Sequence, residues 1–158
     1  MLLARAIHFD ESDQRVFFNA ARTGEWAISG GFEFSNWSDA DLVGKARQAF
    51  SNGWLGAETF GRVTFVAVTP IQTSEMNTLV QVIAQHFVEV YGAPSIEAAL
   101  PVAQEELRHM SDLCQEHDPN TVLTVTRELS DSGVREQFRS IQPADAELEQ
   151  FAVHATPD

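Results

Sequence analysis

The side chains best suited to chemistry in this 158-residue chain are five histidines, a single cysteine and a dense set of carboxylates. Glu106-Leu107-Arg108-His109 has the Glu-x-x-His spacing. On a helix that spacing places a carboxylate and an imidazole on one face, the arrangement with which helical bundles hold divalent metals. With the preceding Glu105 it gives a candidate metal set of Glu105, Glu106 and His109. A di-iron site needs the motif twice with further inward carboxylates, whereas here it occurs once and the neighbouring helical segment offers only Glu75 and Glu89. With Leu107 at the centre of the buried stripe and 100° per residue, His109 lies about 160° away from it, facing solvent, while Cys114 faces the core. A site joining Glu106 and His109 with Cys114 and His117 would require a distorted helix.

The remaining nucleophiles and bases are poorly placed. Cys114 falls near a helix C-terminus among acids that oppose thiolate formation, which predicts a small core residue. His86 lies at the edge of an apolar stripe, where a half-buried structural histidine is expected. His8 lies on a strand beside the Asp10-Glu11 turn, a common surface setting. Glycine-rich phosphate loops, His-Glu-x-x-His and Gly-x-Ser-x-Gly are absent, and a Schiff-base mechanism would depend on Lys45, the only lysine. Aromatic residues are more telling, since eleven of the fifteen lie in the first 65 positions. Phe17 and Phe18 are adjacent, so on a strand they point to opposite faces and one is left exposed. Trp37 and Trp54 flank a helix near loops, where aromatics anchor partners. Phe18, Trp37 and Trp54 are thus the candidate partner-binding residues.

The elements that would position these groups follow from periodicity. Leu3, Ile7 and Phe9 share one parity, Asp10-Glu11-Ser12-Asp13 reads as a turn, and Arg15 to Asn19 as a return strand. Glu25 to Ser29 then completes a meander. Gly30-Gly31 predicts a bulge or sharp bend within that third strand, with Phe32 and Phe34 resuming the alternation. Ser38 and Asp41 approximate a capping box for a helix ending at Gly53. Val63 to Val68 reads as a central buried strand stopped by Pro70. The stripe from Met76 to Tyr91 gives a helix ended by Gly92 and Pro94. A second helix opens at Ser95, and its Pro101 predicts a kink or a fresh start. Thr121 to Ile141 reads as a terminal hairpin about Asp131-Ser132-Gly133, although Val134, Phe138 and Ile141 break strict alternation.

Apolar residues at 44% and charged residues at 21% suffice for one packed core, which predicts a single domain over residues 1–142 and an acidic tail over 143–158. The net charge of −13 disfavours nucleic acid and anionic membrane as partners. A lone cysteine and the lack of a signal-peptide pattern predict a cytoplasmic protein. No cofactor is expected.

Four stretches, Arg5-Ala6-Ile7-His8-Phe9-Asp10, Gly24-Glu25-Trp26-Ala27, Gly30-Gly31-Phe32-Glu33-Phe34 and the strand from Gly61-Arg62 to Pro70, resemble an uncharacterised bacterial family of unknown function along nearly the whole chain. That resemblance implies no activity, cofactor or site residue. The expectation is an α+β fold, a largely antiparallel twisted sheet of about six strands packed by three helices. For function, a non-catalytic accessory or interaction domain that meets another protein or a second copy leads. The alternative is a small-ligand or metal-dependent enzyme with a pocket between sheet and helices.

Overall fold

In the computed structural model, which describes residues 1–141, the chain forms an α+β fold of seven antiparallel strands and four α-helices. In chain order these are β1 (Leu2–Ile7), α1 (Ser12–Val16), β2 (Trp26–Ile28), α2 (Gly44–Asn52), β3 (Trp54–Gly56), β4 (Arg62–Val63) and β5 (Phe65–Pro70). They are followed by α3 (Thr73–Tyr91), α4 (Ile96–Gln115), β6 (Val122–Ser130) and β7 (Gly133–Ile141). Two short 3-10 turns, Gly31–Phe34 and Asp39–Asp41, link β2 to α2. The expected 143–158 tail lies outside the described residues. No helix among the described residues is long and apolar enough to cross a membrane.

The sheet order is β4-β3-β2-β1-β5-β6-β7. β4 and β5 are separated only by Thr64, yet β4 pairs with β3 and β5 with β1. A single run of chain, bent at Thr64, therefore serves both places and curls the sheet back on itself. Small residues permit the curl, since Ala4, Ala27 and Gly56 stand in one row across β1, β2 and β3. A side chain on Gly56 would collide with the Glu25 carboxylate and crowd Ala21. β1 is buried on both faces, with Leu3 of one parity and Ala4 and Ala6 of the other fully enclosed. Helix α4 packs against β1, and the Ser111 hydroxyl donates to the Leu2 carbonyl at 2.8 Å.

Local expectations hold where the apolar stripe decides. α3 has its Gly92 cap in the left-handed region at φ +73°, and α4 is capped by Ser95, whose Oγ accepts from the Ala98 N–H. Three expectations are corrected. The return strand at Arg15–Asn19 is instead the short helix α1 and an irregular segment, because Asp13 is drawn inward by Thr64, whose N–H and Oγ1 donate to its carboxylate at 3.2 and 2.6 Å. After Gly30, at φ +70°, residues 31–34 form a 3-10 turn that buries Phe34, and no strand resumes. At Pro101 no fresh helix begins: α4 runs through it, with the bond that its N–H would have made to the Glu97 carbonyl forfeited. The predicted capping box at Ser38 and Asp41 is present, but it caps a 3-10 turn, and α2 starts only at Gly44.

Candidate functional site

The inner face of β7, the loop after β2 and the flank of α4 line an open cleft of about 710 Å3. Phe32, Met110, Leu113, Val134 and Phe138 give it apolar walls, and Glu106, Asp112, Glu116 and Glu136 supply carboxylates. No lysine or arginine is among the described residues that line it. His109 stands at its edge, exposed to solvent.

Glu136 owes its place to an arginine that strand periodicity turns inward. Arg127 shares the inner face of β6 with Val125 and is 4% exposed. Its Nε donates to Glu136 at 2.7 Å, one terminal nitrogen donates to the Phe50 and Gly53 carbonyls at 3.0 and 2.8 Å, and the other to Ser29. Those carbonyls close the C-terminal end of α2, where a cation is favoured. Arg62 enters the same junction from β4, donating to the carbonyls of Gly53 at 3.0 Å and Gly30 at 3.1 Å and to Glu33 at 3.0 Å. Both guanidinium groups lie against the Phe34 ring, at 4.6 and 5.2 Å from its centroid. Burial lowers the pKa of each, that of Arg127 to about 10, helped by the charge of Arg62. Glu136 and Glu33 offset that charge, so the junction is a satisfied ionic core with one carboxylate, Glu136, reaching the cleft.

Among the cleft acids, Glu106 has its pKa raised by burial, with Glu136 and Glu105 adding to the rise and His109 opposing it. It is a carboxylate held partly out of water with no cation to satisfy it fully, a state that a positively charged group entering the cleft would relieve.

The metal set expected from sequence divides. Glu106 and His109 line the cleft, whereas Glu105 is turned to solvent and ion-paired with Arg108, which holds its pKa down. No group of three or more His, Cys, Asp or Glu side chains able to hold a metal ion occurs among the described residues. Of the aromatic candidates, Phe18 is 81% exposed and Trp37 half-buried edge-on against Phe34. Trp54 is corrected: it is fully buried, stacked on Phe138 with centroids 5.6 Å apart, and presents no surface to a partner. Its contribution is to back the one cleft residue, Phe138, that is both aromatic and 38% exposed.

The other candidate bases, His86 and His8, do not converge on the cleft. His86 stacks flat on Phe60, ring centroids 3.6 Å apart, and burial lowers its pKa. His8 has the outline of a catalytic dyad, with Nδ1 3.0 Å from Asp13, but its Nε2 lies 2.9 Å from the Ala21 carbonyl. Both ring nitrogens are engaged, and the group clasps α1 to the bend at Thr64. Cys114 is fully buried and burial pushes its pKa to about 12, which leaves an inert thiol.

Sequence reasoning passed over Arg62, Arg127 and Glu136. The signal for the last two was a charge at an inward parity position of each hairpin strand, Arg127 between Val125 and Leu129, and Glu136 between Val134 and Phe138.

No curated protein and no solved structure matches the chain. A family model does match, over residues 1–158, and the chain belongs to that family of unknown function, DUF6505.

Proposed function

We propose that the chain is a non-catalytic interaction domain whose α4–β7 cleft receives a segment of another protein that carries both apolar and cationic side chains. The observation that carries this reading is the composition of the cleft, five apolar side chains and four carboxylates in one concavity with no resident cation among the described lining residues. Apolar walls supply affinity by removing surface from water, and the acids at the mouth select the sign of the partner and speed its approach. The half-buried Glu106 and the exposed Phe138 are the groups with most to gain from an occupant.

The test is amide chemical-shift mapping of the full chain with a short lysine- and leucine-bearing peptide. Shifts should concentrate on Phe32, Leu113, Val134 and Phe138, and Glu116→Lys, at an exposed position, should weaken binding at least several-fold. Shifts scattered over α3, or insensitivity to Glu116→Lys, would sink the reading.

A further inference from the structure

We infer that the partner segment docks as an extended strand added to the outer edge of β7, and that its side chains alternate, cationic together with apolar on the cleft side and acidic on the other. This rests on the reading of the cleft as a binding site and specifies how it is filled. β7 pairs with β6 through nine successive residues, Val122↔Ile141 to Ser130↔Gly133, without a bulge. Among the described residues nothing pairs with its other side, and the strand is exposed along almost its whole length of about 30 Å. Alternate residues of such an edge direct N–H and C=O groups outward, where another strand can bond to them.

The two faces of β7 set the chemistry of the incoming strand. Val134, Glu136 and Phe138 face the cleft, and Arg135, Gln137 and Arg139 face away from it. A strand laid beside β7 would turn every second side chain over the cleft toward Glu106, Asp112 and Glu116, which favours Lys, Arg and apolar residues there. Its other side chains would lie beside Arg135 and Arg139, which favours Asp and Glu. A second copy of β7, paired antiparallel about Gln137, would set Arg135 against Arg139 and bring together two chains of charge −13. Residues 144–149 alternate apolar and acidic side chains, but nowhere in 142–158 is there a lysine or arginine to meet the cleft acids. The occupant that fits is a segment of a different protein.

The experiment uses the full chain and a nine-residue capped peptide with Lys and Val on one face and Glu and Thr on the other, and with two versions N-methylated along one edge or the other. The expected result is slowed amide exchange in β7, shifts in the cleft, loss of binding by at least tenfold with one N-methylated version only, and a comparable loss with Arg139→Glu. Cleft shifts that survive both N-methylations would overturn strand addition and leave the cleft reading standing. Absence of shifts in both cleft and β7 would overturn both. If the β7 amides are already protected before peptide is added, sedimentation identifies the occupant as residues 142–158 in a monomer or a second copy in a dimer, and either result overturns a partner in trans.

Discussion

Glu106 illustrates how a residue suited to binding detracts from folding. Its raised pKa means that the folded state at neutral pH bears a carboxylate incompletely solvated, a penalty removed only as pH falls through the folded value toward the ordinary 4.5. Glu106→Gln should therefore raise the melting temperature at pH 7 by about 1–3 °C, with the two proteins converging in acid. Thermal melts from pH 7.5 to 4.5 check this. His86 carries the opposite chemistry with the same direction of depression in its charged form. Burial lowers its pKa below 6.5 against the pull of Glu33 and Glu89, so the unfolded chain takes up the proton first. Its contribution is undiminished above pH 6.5 and declines as pH falls through that value. His86→Phe should flatten the loss of stability between pH 7 and 5.5. Cys114 should resist thiol reagents in native protein and react once denaturant is added. These individual environments were only partly legible in sequence. The helical angle placed Cys114 inward and His109 outward, because α4 is regular through both. Trp54 was misjudged, because its burial depends on Phe138, which lies 84 residues further along the chain.

At the scale of elements, the hairpin and the loops after β2 and α2 are tied together by arginines in addition to the apolar contacts of β6 and Phe138. Truncating Arg127 would leave the Phe50 carbonyl without its side-chain donor, the Ser29 and Gly53 carbonyls with Arg62 alone, and Glu136 with only the Ser29 hydroxyl. Arg127→Ala should cost about 3–5 kcal/mol, the range for a broken buried ion pair. Arg135→Ala, which removes an exposed 3.6 Å contact to Glu128, should cost less than about 1 kcal/mol. Urea titration of both variants measures the difference. The same arginine explains where periodicity reasoning faltered. The hairpin itself was evident from its Val and Thr content and its turn, but the alternation of β7 looked broken because Glu136 occupies an inward position. That position is tolerable only with Arg127 and Ser29 beside it. α3 and α4 were readable because their partners are supplied by a continuous apolar stripe. The Arg15–Asn19 segment was not, because its conformation answers to Thr64, 51 residues from Asp13.

For the whole molecule, the placement of β1 has a consequence for the order of folding. The first strand of the chain is the middle strand of the sheet, paired to β2 on one side and along its full length to β5 on the other, as far as Leu2 opposite Pro70. During synthesis it must wait for some 60 further residues before its second neighbour exists. Until then, an apolar strand with one open side is exposed to solvent and to other chains. The bend at Thr64 adds a second long-range contact, made when Asp13, on α1, reaches it. Refolding from urea should accordingly fall in the millisecond-to-second range of sheet proteins with distant pairings rather than the microsecond range of helical bundles, and Asp13→Ala should slow it further if the clasp forms before the barrier. Stopped-flow tryptophan fluorescence follows this directly, because Trp26 and Trp54 lie on the neighbouring strands β2 and β3.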